Sequence, residues 1–227
     1  MKLKTKIYVL GFALLASFYG YFVSCTHENT TLPEGSGGGG PIERGTQEVT
    51  LQDPSTTFDK VHSNVNWSTA YLGEISILTG RFNFFGFNSF NFEESNPDSI
   101  YFEAYVYLNS VNTSEPQRDQ GCLLTTFGTS AGAGYVDSNL AIIKTTKVEY
   151  STTDKGYIVT ANLTFHGFTN EVTGKLDYVG VADEGTYNEY GFNFAFTFQA
   201  ISDFGITATN VGDNISIVCG AAFKHAL

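Results

Sequence analysis

Two alternating runs that meet at a short turn constrain the fold of this chain more than any other feature. Over 157–165, Tyr157, Val159, Ala161, Leu163 and Phe165 fall on one face, with Thr160, Asn162, Thr164 and then His166 on the other. A period of two is the repeat of a strand with one covered face. After Gly167, Phe168, Thr169 and Asn170 the alternation resumes, with Val172, Gly174, Leu176 and Tyr178 set against Thr173, Lys175 and Asp177. Two such runs joined by a few turn-prone residues predict a β-hairpin, one face of which needs an apolar cover.

The same period recurs along the chain. Strands are expected around Val49, over Phe58 to Trp67, Ile75 to Phe92, Ser99 to Leu108 and Leu140 to Tyr150. Further ones are expected over Tyr190 to Ala200 and Asn214 to Phe223. Turn clusters such as Ser95-Asn96-Pro97-Asp98 separate them, and hardly a helical stretch is to be found. Many strands with regular turns predict an all-β, antiparallel sandwich or barrel.

The run from Tyr190 is the most one-sided: Phe192, Phe194, Phe196 and Phe198 alternate with Asn193, Ala195, Thr197 and Gln199. Such a ladder is either ordinary core or the wall of a cavity. The surplus of further large groups, Ile75, Ile77, Phe82, Phe84, Phe90, Phe92, Ile100 and Phe102, favours a cavity, because a closed sheet of about eight strands can enclose one small ligand. The residues expected to line it are Phe82, Phe84, Val159, Leu163, Phe165, Phe192, Phe194, Phe196 and Phe198.

The start of the chain reads differently. Lys2, Lys4 and Lys6 precede an apolar run from Ile7 to Val23, and Ser24 leads into Cys25. This pattern is that of an export signal and resembles a bacterial lipoprotein signal, whose mature chain begins at a lipidated cysteine, here Cys25. The rival reading is a retained membrane anchor, since the run approaches the minimum length for a span. A linker with Gly35-Ser36-Gly37-Gly38-Gly39-Gly40 follows. The expected layout is a signal peptide over 1–24, a Gly-rich linker over 25–46 and one domain over 47–227. The expected location is an exported, membrane-anchored lipoprotein, on the periplasmic face or the cell surface.

Net charge is −11 over 227 residues, which disfavours nucleic acid and anionic headgroups as partners. Besides Cys25 there are only Cys122 and Cys219, and export leaves both a disulfide and two buried thiols open. A homodimer is likewise left open.

Chemistry finds little support. His27, His62, His166 and His225 show no metal-ligand spacing, and no Gly-x-Ser-x-Gly elbow is present. The expectation is no metal, no cofactor and no catalytic residue. His62 and His166 are read as hydrogen-bonding groups at strand ends or turns. Residues 119–139, with Gly128, Gly132 and Gly134, form the one long irregular stretch, read as a surface insertion in preference to a lid.

Several separated pieces resemble the YceI-like family. They are Asp59-x-x-His62-Ser63-x-Val65-x-Trp67, Tyr71-Leu72-Gly73, Thr79-Gly80-Arg81-Phe82-Asn83, Leu163 through Val172, Asp203-Phe204-Gly205-Ile206 and Val211-Gly212-Asp213. The resemblance covers about Leu51 to Phe223. It implies a lipocalin-like antiparallel barrel, extracytoplasmic in bacteria, whose apolar interior holds a long isoprenoid or related lipid, with no catalytic residues. The chain departs from the family pattern at Arg118-Asp119-Gln120-Gly121-Cys122-Leu123, in the Gly-rich 128–134 region and at Ser202. The alternative function is a surface module with a solid core that recognises a protein or glycan through its loops.

Overall fold

The computed structural model describes residues 48–93, 96–208 and 210–227; the expected signal, Cys25 and the linker through 46 lie outside the described residues. Twelve strands follow in chain order. They are β1 (Glu48–Thr50), β2 (Thr56–Phe58), β3 (Asn64–Tyr71), β4 (Ser76–Phe82), β5 (Phe85–Glu93), β6 (Tyr101–Tyr107), β7 (Val111–Asn112), β8 (Leu140–Ser151), β9 (Gly156–Phe165), β10 (Phe168–Asp183), β11 (Tyr187–Gln199) and β12 (Val211–Ala226). Nine have seven residues or more, and three are short. The sheet runs β1-β5-β6-β8-β9-β10-β11-β12-β3-β4-β7, with β2 laid on β12. It curls around one apolar core, the barrel-like all-β fold that the alternation predicts.

The central hairpin forms with its apolar residues inward: Val159 and Ala161 are fully buried, and Leu176 pairs with Tyr157. Its turn is shorter than expected. Phe168, Thr169 and Asn170 already pair with Phe165, Thr164 and Leu163. Only His166 and Gly167 turn, at φ 52° and 82°. Two positive φ values match the twist of paired strands, and His and Gly tolerate that region better than most residues.

Two expected strands break in the middle. At the first, the Asp59 carboxylate accepts from the backbone N–H of Val61 (3.0 Å) and His62 (3.3 Å), winding Lys60–His62 into a 3-10 turn between β2 and β3. At the second, the N–H groups of Asn83 and Phe84 both donate to Ser110, one to its carbonyl and one to its hydroxyl, each at 3.0 Å, which turns the corner between β4 and β5.

Residues 119–139 are not a bare surface insertion. A wide-turn helix, Arg118–Leu123, runs into a single α turn, Leu124–Thr126, and Leu123 and Leu124 are buried against the core.

The far half of the barrel is solid. Phe92 meets Tyr178 at 4.9 Å and Tyr190 at 6.2 Å between ring centroids, and Tyr150 meets Tyr157 at 5.4 Å. Each such ring withdrawn from water contributes roughly 1.5–3 kcal/mol.

Candidate apolar cavity

The other half of the barrel is hollow. A cavity of about 170 Å³ runs inside the curl, walled by Phe192, Phe194, Phe196 and Phe198 of β11 and faced by Phe87, Phe102 and Ile143 from β5, β6 and β8. Gly174 of β10 makes this wall possible: a Cβ there would fall 2.6 Å from Phe194 Cε2 and 2.7 Å from the Ala195 carbonyl. At one end Phe165, Phe198 and Phe204 pack ring on ring at 5.3–5.7 Å and close the space. Leu123 and Phe127 of the helical segment complete that end.

Of the residues expected to line a cavity, Phe82, Leu163, Phe165, Phe192, Phe194, Phe196 and Phe198 do so. Val159 does not: it is fully buried beside Val148 of β8 and Gly174 of β10, on the solid side of the core. Phe84 does not either. It sits at the β4–β5 corner, 42% exposed, with its ring stacked on Tyr135 at 4.3 Å and the Lys60 ammonium 4.6 Å from its centroid. Ile75 and Ile77 point to solvent, while Phe92 and Ile100 belong to the solid half. Sequence reasoning missed the contribution of β12, whose Ile215, Ile217, Cys219 and Ala221 alternate into the wall. The period of two was legible there, but the small side chains hid it.

The wall offers a guest little to hydrogen-bond. The Thr69 hydroxyl is turned back to the carbonyls of Gly212 (3.1 Å) and Asn214 (3.0 Å). The indole Nε1 of Trp67 is buried without a protein partner, and it lies against Gly80. Asn64 of β3 and Tyr105 of β6 also border the cavity.

Of the two alternatives left open for Cys122 and Cys219, the disulfide is not formed, and of the two thiols Cys122 is exposed, not buried. Cys122 and Cys219 are both free thiols, the first exposed on the helical segment, the second in the cavity wall on β12. Burial pushes the Cys219 thiol up to about 12. Cys219 is half-buried and borders the cavity.

The described histidines serve as hydrogen-bonding groups in the frame. His166 Nδ1 meets the Phe204 carbonyl at 3.0 Å, tying the β9–β10 turn to the loop after β11. His62 Nδ1 lies 2.8 Å from Asp59 Oδ2, and Lys224 Nζ from β12 reaches the same oxygen at 2.5 Å. The His62 hydrogen bond first, and Lys224 next, hold the Asp59 carboxyl well below the usual carboxylate range against the opposing effect of burial. Ser63 completes the clasp, donating to the Asp59 carbonyl and accepting from the Ala222 N–H. Asp59, His62 and Glu189 could each offer a ligand atom within 4.8 Å of one another, but the Lys224 ammonium already sits on Asp59, and a cation there repels a metal ion. The cluster is an ion-paired latch between the β2–β3 turn and β12.

A curled antiparallel sheet around an apolar cavity, with polar groups engaged in the frame, defines an apolar-cavity barrel. The model of the YceI-like domain matches residues 57–223, and the chain belongs to that family. A UPF0312 protein of Pseudomonas aeruginosa is 31% identical over 147 residues, covering 64% of this chain and 71% of the relative. One from Vibrio parahaemolyticus is 30% identical over 148 residues, covering 64% and 72%. Among solved structures, Burkholderia cenocepacia BcnA superposes with a TM-score of 0.55 at 16% identity, covering 73% of this chain and 99% of that one. The Campylobacter jejuni YceI protein superposes with a TM-score of 0.54 at 19% identity, covering 67% and 88%. These structures share the fold.

Proposed function

We propose that this protein binds an apolar lipid of isoprenoid type inside the barrel, as an exported carrier held at a membrane through acylated Cys25. The single observation that carries the reading is the cavity itself: a space in the core bounded by the phenyl ladder of β11, with hardly a polar group free to meet a guest. His62 and His166, the two residues that an enzyme on this barrel would recruit, are engaged in the latch and in a turn. This favours carriage over catalysis.

Size sets the terms. A dry cavity of ~150 Å³ lined by Leu, Ile and Phe takes a benzene-sized guest, so about 170 Å³ accommodates a short stretch of hydrocarbon as it stands. A longer tail is accommodated by turning the ladder rings aside. Burial gains about 0.8 kcal/mol per methylene, roughly fourfold in affinity. Association itself costs on the order of 4–15 kcal/mol, so short guests bind weakly and long ones firmly.

The test is a length series of prenyl alcohols titrated against the purified protein. Affinity rises by about fourfold per buried carbon and then levels off once the interior is full. No saturable binding at any length, together with no lipid in an organic extract of protein from its own host, refutes the carrier reading.

A further inference from the structure

Most residues of the cavity wall lie on strands and are tied to their neighbours by the ladder. Five lie outside the strands. Leu108 follows directly on β6. Ala200 and Ile206 are tied by backbone bonds, from the Ala200 N–H to the Asp213 carbonyl (2.9 Å) and from the Ile206 N–H to the Ala200 carbonyl (3.1 Å). Leu123 and Phe127 differ, because they sit on the helical segment. Among the described residues, the hydrogen bonds of 120–128 stay within 119–139. The Phe127 N–H donates to the Leu123 carbonyl (2.9 Å), and the Thr125 and Thr126 hydroxyls donate to the carbonyls of Gly121 (3.2 Å) and Cys122 (2.8 Å).

Both ends of this piece are fastened. Before it, the Asp119 carboxylate accepts from the Thr113 N–H (3.1 Å) and hydroxyl (2.6 Å), next to β7. After it, the Asn139 amide donates to the Gly134 carbonyl (2.8 Å), its oxygen accepts from the Thr129 hydroxyl (2.6 Å), and the Asn109 amide reaches the same Gly134 carbonyl (2.7 Å). Between these fastenings the hold on the barrel is apolar. Leu123 and Leu124 are buried in the core, and the Phe127 ring lies 6.4 Å from that of Phe82 and 6.0 Å from that of Phe165. Gln120, Gly121, Cys122, Thr125 and Gly128 are exposed. Gly128 stands at φ 70°, and glycine changes backbone conformation at the least steric cost. Wide-turn helices such as Arg118–Leu123 are rare and recur at functional sites. Segments with few buried contacts and few bonds to the rest of a fold are those that open first.

We infer that residues 120–128 are the gate of the cavity: the piece swings about Asp119 and Gly128, lifts Leu123 and Phe127 out of the wall and admits the guest at that end. Opening breaks no hydrogen bond between 120–128 and the barrel, and the bonds inside the piece travel with it. What it costs is the burial of three apolar side chains. The gate rests on the carrier reading and adds a route to it. Leu124 is the residue that separates the two, since it is buried in the core but does not border the cavity. Trimming it loosens the closed gate to the same extent with and without a guest inside.

The experiment uses the full chain and retinol, an isoprenoid alcohol that accepts excitation energy from Trp67, the only tryptophan and itself part of the wall. Stopped-flow mixing gives the rate of entry, and transfer to excess lipid vesicles gives the rate of escape. Leu124→Ala is expected to raise both rates by about tenfold or more, as the loss of a buried leucine from the closed state requires. The dissociation constant moves by less than about threefold, because a change common to the free and filled states shifts no binding equilibrium. Unchanged rates with retinol still bound overturn the gate and leave the carrier standing. Faster escape with unchanged entry, the result of a merely loosened core, also overturns it. No retinol binding by the parent protein refutes both readings. Hydrogen exchange on the parent protein covers a variant that fails to fold. Amides of 120–128 are expected to exchange about a hundredfold faster than those of Val159, Ala161 and Leu176, and to slow when retinol is bound. Amides as protected as the strands, or indifferent to bound retinol, overturn the gate.

Discussion

The indole of Trp67 on β3 occupies the place that a side chain at Gly80 on β4 would take: a Cβ built at Gly80 falls 2.6 Å from Trp67 Cζ2. The two are direct cross-strand partners, so the ring crosses to the neighbouring strand before it reaches the cavity wall. Gly80→Ala must displace the indole. Overpacking of this kind costs about 1–3 kcal/mol, expected as a lower urea midpoint with an unchanged slope. A variant as stable as the parent would show that the wall yields freely there.

Asp59 carries the latch that joins the β2–β3 turn to β12. Its carboxyl is depressed in the folded state, so its contribution to stability is present above the unfolded carboxylate value near 4. That contribution is lost as pH falls through the lower folded value. Asp59→Asn leaves the turn N–H groups an acceptor but removes the charge facing His62 and Lys224. The expected loss is about 1–3 kcal/mol at neutral pH, shrinking steadily below pH 4. Melting curves across that range check it, and a penalty independent of pH contradicts the charge argument.

The two described cysteines differ in chemistry as well as in place. With its thiol pushed up to about 12, Cys219 presents a thiolate fraction on the order of one part in ten thousand at pH 8, inside the wall. Cys122 is exposed. Maleimide labelling followed by peptide mapping is expected to mark Cys122 promptly, and Cys219 only after denaturant. A Cys122–Cys219 crosslink in untreated protein contradicts the arrangement.

Ala104 of β6 borders the cavity, and its cross-strand partners Phe87 and Ile143 border it too. Ala104→Leu fills part of the space without breaking a hydrogen bond. Such filling leaves stability unchanged or raises it by about 0.5–2 kcal/mol. Prenyl-alcohol affinity falls by at least tenfold in the same variant. Unchanged affinity places the guest elsewhere.

The local pattern settled which face of each strand is apolar. Tyr157 through Phe165 and Phe192 through Phe198 point inward as their alternation requires, because a strand offers its side chains only two sides. It also settled the family, since the pieces around Asp59, His62 and Trp67 and around Leu163 to Val172 are local in the chain. Tertiary structure alone decided which inward faces meet a neighbour and which meet empty space. Val159 and Phe192 are equally apolar and both point inward, yet one is packed solid and the other borders the cavity. Whether space is left over depends on how far a curled sheet brings opposite walls together, a distance between residues such as Phe102 and Phe194 that lie some ninety positions apart.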